Sequence, residues 1–248
     1  SQQMVVEMLL SDMPDQGYKW IDGDVTRPHG ELSDWAAQLD VQVRPELRAL
    51  RRVQPVADVS HPAMAVNLDA CIQCNRCVRA CREEQVNDVI GYALRGADSK
   101  IVFDLDDPMA ESSCVACGEC VQACPTGALS AKTLIGSQQV DRKVDSVCPF
   151  CGVGCQLTYQ VKDEKIVVVE GRDGPANHSR LCVKGRFGFD YAHHPQRLTV
   201  PLIRKPGVPK DPAQAPQPGD WSAVFREATW DEALALAAGG LRQLRDTH

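Results

Sequence analysis

The stretch "CIQCNRCVRAC", residues 71–81, places four cysteines in the spacing C-x2-C-x2-C-x3-C. A second stretch, "CVACGECVQACP" at residues 114–125, repeats that spacing and also shares a valine and an alanine with the first at matching positions. The two runs are therefore an internal duplication with a period of 43 residues. Their cysteines are Cys71, Cys74, Cys77, Cys81, Cys114, Cys117, Cys120 and Cys124.

Three kinds of site could use thiols at this spacing. Disulfides fit poorly, because thiols three residues apart on a tight loop are badly placed for an unstrained bridge. Zinc sites usually take two C-x2-C pairs from separate loops, whereas three cysteines at three-residue intervals can surround one compact group. The spacing is that of bacterial two-cluster ferredoxins, and soft thiolates suit iron and sulfide. The runs therefore predict two [4Fe–4S] clusters, with zinc and disulfides as the weaker interpretations.

In a two-cluster ferredoxin the fourth cysteine of each run ligates the cluster of the other run. The predicted ligands of the first cluster, site 1, are Cys71, Cys74, Cys77 and Cys124. Those of the second cluster, site 2, are Cys114, Cys117, Cys120 and Cys81. Pro125 follows the second run as the motif expects, whereas Arg82 follows the first.

The charge differs between the two runs. Arg76, Arg79 and Arg82 flank the first run, and Glu119 lies within the second. Positive charge near a cluster favours its reduced, more negative form, so site 1 is expected to have the higher reduction potential. The alternative is that solvent screens these arginines and leaves the potential unaffected.

Two β-hairpins are predicted. "KIVFDLDD", residues 100–107, indicates a short strand and a turn, so a hairpin is expected between the two cysteine runs. "QLTYQVKDEKIVVVEG", residues 156–171, has apolar and polar side chains alternating up to a polar turn and an apolar stretch after it. That pattern predicts the second hairpin.

Helices are predicted near both ends of the chain. "MVVEMLL", residues 4–10, is one, and "TWDEALALAAGGLRQL", residues 229–244, is the other. In the second helix Thr229 and Glu232 have the spacing of a capping box, and an apolar stripe follows them. A helix that starts so near the last residue has little left to pack against, so we expect the chain to be a segment of a longer polypeptide. Residues 201–220 hold six prolines and predict an extended surface connection.

A third group of cysteines has a different spacing. It consists of the stretch "CPFCGVGC", residues 148–155, and one cysteine that follows after 26 further residues. Gly152 and Gly154 remove side chains from this loop, as a cluster pressed against the backbone would require. This group, site 3, is Cys148, Cys151, Cys155 and Cys182.

Three stretches make a family resemblance specific: "CPFCGVGC", "LCVKGRFG" at residues 181–188 and "HHPQRLTVPLIR" at residues 193–204. They resemble the cluster-binding amino-terminal domain of molybdopterin oxidoreductases. Together with the two ferredoxin-type runs they are most similar to the catalytic α subunit of cytoplasmic NAD-dependent formate dehydrogenases. The resemblance covers residues 60–248, and residues 1–60 more weakly.

The resemblance implies roles for five residues. The four cysteines of site 3 match the ligands of the [4Fe–4S] cluster nearest a metal-bound pterin. Lys184 matches the lysine between this cluster and the pterin and would act as an electron relay, although a lysine there is otherwise ordinary solvated surface. The family's metal ligand and its catalytic His and Arg have no match in these 248 residues, so no catalytic residue is assigned.

The resemblance also implies cofactors and partners outside this segment. A molybdenum or tungsten bis-molybdopterin guanine dinucleotide would lie in the rest of the subunit, where formate becomes CO2. Electrons would pass through the three clusters to a diaphorase-type subunit that carries FMN, NAD and further iron–sulfur clusters. Many relatives hold another cluster through a His and three Cys, but residues 13–41 contain no cysteine, so that cluster is expected to be absent. Nothing matches the relatives' upstream [2Fe–2S] domain either.

The alternatives are other redox proteins. One is the cluster-bearing large subunit of a respiratory NADH dehydrogenase or an assimilatory nitrate reductase. The other is a stand-alone ferredoxin-like electron carrier. The net charge of −6 argues against nucleic acid as a partner. No apolar run is long enough to cross a bilayer, so we expect no membrane partner and a cytoplasmic location.

The predicted fold class is α+β in four pieces. A helical, loop-rich segment (1–60) precedes a two-[4Fe–4S] ferredoxin-like domain (61–140). A small β-rich [4Fe–4S] domain (141–200) follows. A proline-rich connection and the first helix of a molybdopterin-binding α/β body (201–248) complete the chain.

Overall fold

Helices and antiparallel strands, most of them short, both occur along the chain, in agreement with the predicted mixture of the two. The computed structural model describes residues 1–13, 30–53, 55–135, 140–211 and 220–247. The helices are α1 (Gln2–Leu10), α2 (Glu31–Gln38), α3 (Pro45–Arg48), α4 (Arg76–Arg79), α5 (Glu119–Ala123), α6 (Val183–Phe187) and α7 (Trp230–Thr247). The strands are β1 (Met64–Val66), β2 (Ile90–Ala93), β3 (Lys100–Phe103), β4 (Leu129–Ala131), β5 (Arg142–Val147), β6 (Gln156–Lys162), β7 (Lys165–Gly171), β8 (Leu202–Arg204) and β9 (Phe225–Glu227).

The chain divides into two compact units, Ser1–Asp190 and Tyr191–His248. In the first unit, β1 precedes the first cysteine run and β4 follows the second run. The two strands pair antiparallel, with Met64 opposite Ala131, and so close the duplicated region into one domain. Strands β2 and β3 pair between the runs, which confirms the predicted inserted hairpin.

The two cysteine runs end differently, and the residue after each run explains why. Pro125 cannot continue a helix, and α5 ends two residues before it, at Ala123. Arg82 sets no such limit, so the chain continues from α4 into a π-helical turn, Ala80–Glu84. Cys81 therefore lies within a helical turn, whereas Cys124 lies in extended backbone.

A three-stranded antiparallel sheet, β5–β6–β7, follows the duplicated domain. Strands β6 and β7 confirm the second predicted hairpin. Strand β5 was not predicted, because "RKVDSV" has few apolar residues and most of its side chains are exposed. It pairs with β6 through the backbone, with Val144 opposite Tyr159. The sheet buries Leu157 and Val169 against Leu181 and Phe189.

The N-terminal helices pack on the duplicated domain through a small apolar cluster. Met13 and Leu32 are buried there against Ala70 and Ala128. Helix α1 was predicted, and its N-cap Ser1 accepts the N–H of Met4.

The second unit holds β8, β9 and α7. The sequence predicts an extended connection over residues 201–220, but β8 lies in this stretch and pairs with β9. Residues 212–219 lie outside the described residues. Helix α7 was predicted, and Thr229 Oγ1 accepts the N–H of Glu232 at 3.2 Å. Among the helices that the structure describes, none has the length and apolar character needed to cross a membrane.

Candidate iron–sulfur sites

The four thiols predicted for site 1 line one cavity. Leu68, Ile101 and Leu129 form part of its apolar wall. Cys124 reaches this cavity although it belongs to the second run. The structure therefore brings together three cysteines of one run and the last cysteine of the other.

The four thiols predicted for site 2 line a second cavity. Here Cys81 of the first run joins the three leading cysteines of the second run, and Val89 and Ile90 contribute apolar walls. Two backbone N–H groups point at sulfur, from Val89 to Cys81 Sγ at 3.3 Å and from Ala116 to Cys114 Sγ at 3.4 Å.

The duplication extends to the backbone of the two loops. Gln73 and Asn75 in the first run have positive φ, of 55° and 66°. Ala116 and Gly118, at the equivalent positions of the second run, have φ of 56° and 75°. Alternation of left-handed with other conformations turns successive N–H groups to one side, where they stabilise negative charge. Sequence reasoning found Gly118 but missed Gln73, Asn75 and Ala116, because of the four only glycine signals a left-handed conformation.

Burial raises the pKa of several site 1 and site 2 thiols, and charge on neighbouring cysteines raises most of them further. The affected thiols are Cys71, Cys77, Cys114, Cys117 and Cys120. Thiols in such surroundings stay protonated unless a cationic group compensates the thiolate charge. Iron supplies that charge, and its binding releases the thiol protons. A cavity surrounded by four thiols with apolar walls thus fits an iron–sulfur cluster, which is bound by thiolates.

Site 3 lies in the first unit, beside the β5–β7 sheet. Cys148 is buried, Cys155 is partly buried, and Cys151 and Cys182 are exposed. Burial raises the pKa of Cys155, and charges on the other three cysteines of the set raise it further, so these three thiols lie within electrostatic reach of Cys155. A hydrogen bond of 2.8 Å from Cys148 N–H to the Cys155 carbonyl closes the loop between them.

All twelve cysteines lie in the described residues, and all are free thiols. In the same part of the chain, no three or more His, Cys, Asp or Glu side chains form a group that could hold a single metal ion. The thiols of sites 1 and 2 are instead arranged around cavities, as described above.

The predicted charge difference between the runs is neutralised in the structure. Each arginine of the first run has a carboxylate partner: Arg76 pairs with Glu31, Arg79 with Glu83, and Arg82 with Asp88. All of these side chains are about half exposed or more. The negative charge of Glu119 in the second run is likewise paired, with Arg186 at 2.6 Å. The sequence shows the charges of each run but not their partners.

Lys184 lies on α6, two residues after Cys182, and its side chain is exposed. Arg186 on the same helix is buried, with 3% exposure, and contacts the second cysteine run. Sequence reasoning missed Arg186, since an arginine in "CVKGRFG" resembles any surface arginine. The one related signal in the second run is the glycine at position 118. The structure explains it, because a Cβ there would lie 2.1 Å from Cδ of Arg186.

Comparison with known proteins gives the two regions a class. Residues 70–128 match the 4Fe-4S dicluster domain. Residues 141–194 match the Molybdopterin oxidoreductase Fe4S4 domain. The chain is therefore an iron–sulfur electron-transfer segment. More specifically, residues 141–194 are similar to the iron–sulfur domain of molybdopterin oxidoreductases.

Curated relatives resemble the chain along most of its length. "Probable oxidoreductase YjgC" of Bacillus subtilis is 32% identical over 76% of this chain and 22% of its own length. "Putative formate dehydrogenase YrhE" of the same organism is 31% identical over 77% of this chain and 22% of its own. "Putative formate dehydrogenase SH0748" of Staphylococcus haemolyticus is 29% identical, over 73% and 21%. The chain thus spans about a fifth of the length of the curated relatives it matches.

A solved structure of an NAD+-reducing [NiFe]-hydrogenase in the H2-reduced state also aligns with the chain. The alignment covers 57% of this chain and 58% of the hydrogenase chain, with 19% identity and a TM-score of 0.44. Similarity at this level supports no conclusion about function.

Proposed function

We propose that the chain is the electron-relay segment of a formate dehydrogenase with a molybdenum or tungsten pterin centre. Residues 61–140 would hold two [4Fe–4S] clusters at sites 1 and 2, and residues 141–200 would hold a third at site 3. The observation that carries the proposal is the exchange of cysteines between the runs. Cys124 lines the cavity of the first run and Cys81 lines that of the second, as a two-cluster ferredoxin requires.

When bound, the clusters supply one-electron redox chemistry, at potentials set by hydrogen bonds to sulfur, burial and local charge. The protein's own groups provide each of these. Val89 and Ala116 donate N–H groups to site 2 sulfurs. Apolar side chains form part of the walls of sites 1 and 2. The left-handed loop residues give the backbone a conformation that can present N–H groups to negative charge.

Site 3 is proposed as the cluster of the relay that lies nearest the pterin. Its exposed Cys151 and Cys182 lie at the surface of the first unit, and Lys184 is exposed two residues further on. We propose that this surface faces the pterin-binding remainder of the protein and that Lys184 bridges the cluster and the pterin. An ammonium there would stabilise negative charge on either centre. The names of the Staphylococcus and Bacillus relatives favour formate as the substrate.

The partner in this proposal is a diaphorase-type subunit that carries FMN, NAD and further iron–sulfur clusters, in the cytoplasm. The experiment that tests the function is formate-dependent reduction of NAD by the assembled complex of the full-length protein. Reduction of NAD with release of CO2 is expected. If formate reduced an artificial acceptor but not NAD, the formate dehydrogenase activity would be supported and the proposed FMN- and NAD-carrying subunit would be excluded. Reduction of neither with formate would contradict the proposed function.

A further inference from the structure

A buried polar network connects site 2 with site 3. We call its three side chains, Glu119, Gln122 and Arg186, the clasp. Arg186 Nη2 donates to Glu119 Oε1 at 2.6 Å, and its Nη1 donates to Gln122 Oε1 at 2.7 Å. Arg186 is 3% exposed and Glu119 is 8% exposed. The charges of the pair are therefore almost fully removed from water.

The clasp connects the ligand loops of the two sites in both directions. Arg186 follows Cys182 on α6, and its backbone N–H donates to the Cys182 carbonyl at 3.0 Å. Its side-chain Nε donates to the carbonyl of Cys117 at 2.7 Å. A single residue thus bridges a predicted ligand of site 3 and a predicted ligand of site 2.

Glu119 makes the reverse connection. It lies between Cys117 and Cys120, and its Oε1 accepts the N–H of Leu181 at 3.0 Å. Leu181 immediately precedes Cys182 in the sequence. Each ligand loop therefore supplies one charged side chain that holds the backbone beside a cysteine of the other loop.

Two glycines leave the space in which Arg186 packs against the second cysteine run and Ser179 packs against the end of β7. A Cβ on Gly118 would lie 2.1 Å from Cδ of Arg186, and a Cβ on Gly171 would lie 1.9 Å from the carbonyl oxygen of Ser179. Gln122 spans the second contact, because its Nε2 donates to the carbonyls of Gly171 and Ser179, each at 3.1 Å. No side chain at these two positions fits without a shift of the backbone or of Arg186.

The need to hold the two ligand loops together does not by itself explain why the ion pair is buried. Apolar residues of similar volume often hold two surfaces together as well or better, because burying two charges carries a desolvation penalty. What a fully hydrogen-bonded guanidinium adds is a fixed geometry, with donors in a rigid planar arrangement. The clasp therefore fixes the spacing and orientation of the two ligand loops.

We propose that Arg186, held by Glu119, is the positioning residue that sets the separation of site 2 from site 3. This inference rests on the proposed function, in which both sites hold [4Fe–4S] clusters. Electron exchange, in which one site loses one electron and the other gains it, weakens steeply as two centres move apart. A fixed separation keeps that exchange fast without any contact between the clasp and the substrate.

The test is the magnetic interaction between the reduced clusters, measured by electron paramagnetic resonance on the full-length protein purified without oxygen. We expect the wild type to show splitting from a neighbouring pair of paramagnetic centres. Arg186→Gln and Glu119→Gln are expected to keep the wild-type iron and sulfide content and to lose the part of this splitting that involves site 3. The interaction between sites 1 and 2, which share one domain, is expected to remain. A role in folding alone would lower the cluster content and leave the splitting of the remaining clusters unchanged.

Arg180→Gln is the matched control. Arg180 lies two residues before Cys182 and pairs with Glu84, so it also connects the two regions, but this pair is exposed to solvent. The control is expected to keep the splitting. Full cluster content with unchanged splitting in both clasp variants would overturn the inference. If Arg186→Gln does not assemble its clusters, Glu119→Gln provides the test, because it keeps the size of the side chain. Loss of the splitting in that variant supports the inference, and unchanged splitting contradicts it. Wild-type protein without iron at either site would overturn the proposed function as well.

Discussion

The two halves of the duplicated domain share their cysteine spacing and loop backbone but have different surroundings. In the first half the helix continues through Cys81, and the arginines form exposed ion pairs. In the second half Pro125 follows the last cysteine, and Glu119 enters a buried network. The shared spacing accounts for the shared cavities. The charged residues of the first half find partners in the same half or on α2, whereas Glu119 of the second half pairs with a residue of α6.

The largest expected effect concerns the exchange of cysteines between the halves. Cys124→Ser is expected to remove the cluster at site 1, although the residue belongs to the second run, because Cys124 lines that cavity. About one third of the iron and sulfide would be lost, since three similar clusters are expected. Chemical analysis gives the total, and electron paramagnetic resonance identifies the missing cluster. Cys81→Ser is the reciprocal variant, and loss of site 1 in that variant would contradict the assignment.

The next effect concerns the residue after each run. Arg82→Pro gives the first run the proline of the second, but Arg82 lies inside the helical turn Ala80–Glu84. A proline there removes an amide donor and collides with the preceding turn, at a cost of about 3 kcal/mol in the free energy of unfolding. Denaturant unfolding measures it. Arg82→Ala separates this effect from loss of the exposed pair with Asp88, and equal destabilisation by both variants would refute the explanation.

Exchange of the left-handed residues between the halves should have unequal results. Gly118→Asn introduces a Cβ into the space of Arg186, and overpacking of this kind costs about 1–3 kcal/mol. Asn75→Gly in the first half removes atoms at a position whose φ of 66° suits glycine, so a change within about 0.5 kcal/mol is expected. Unfolding of both variants under identical conditions checks the difference. Equal destabilisation would show that the space beside Gly118 does not matter.

A smaller, pH-dependent effect is expected where the domain begins. His61 Nδ1 accepts the N–H groups of Ala63 and Met64 at 3.1 and 3.2 Å, which requires a neutral imidazole. Burial lowers the pKa of His61, and the nearby Lys132 lowers it further. The unfolded chain therefore binds a proton at higher pH than the folded chain does. The stabilisation is present above the ordinary histidine pKa of about 6.5 and is lost as the pH falls through the folded value.

Unfolding of wild type and His61→Gln over this pH range tests the sign. The stability difference between them is expected to shrink as the pH falls. His178→Gln is the control, because that side chain is 70% exposed. A difference that grows towards low pH would contradict the argument.

The smallest effect is expected for the arginines of the first run. Arg79 already pairs with Glu83, and both side chains are at least half exposed. Solvent screens such a pair, so Arg79→Gln should leave both the reduction potential of site 1 and the stability of the fold unchanged. A redox titration checks the potential. A clear fall in the potential would restore the original expectation that these arginines tune site 1.

Much of the secondary structure could be predicted from the sequence, because its signals are local. Both hairpins and both terminal helices follow from periodicity and turn residues. Strand β5 could not be predicted, since it pairs through its backbone and exposes most of its side chains. Strand β8 could not be predicted either, because prolines flank it and because it forms by pairing with β9, more than twenty residues further along.

The candidate sites also have a part that the sequence predicts and a part that it does not. The spacing of the cysteines indicates which thiols share a site, because the ferredoxin pattern includes the exchange of the fourth ligand. The partners of charged residues are not encoded locally. Arg186 and Glu119 are 67 residues apart, and neither has a neighbour in sequence that signals burial. Only the packed structure shows that they meet.

The central claim is that twelve thiols hold three [4Fe–4S] clusters. The most direct test is the iron and acid-labile sulfide content of protein purified without oxygen, combined with Mössbauer spectroscopy. The claim predicts about twelve iron and about twelve sulfide for this segment, all in [4Fe–4S] form. Zinc in place of iron, or sulfide for fewer than three clusters in fully folded protein, would contradict it.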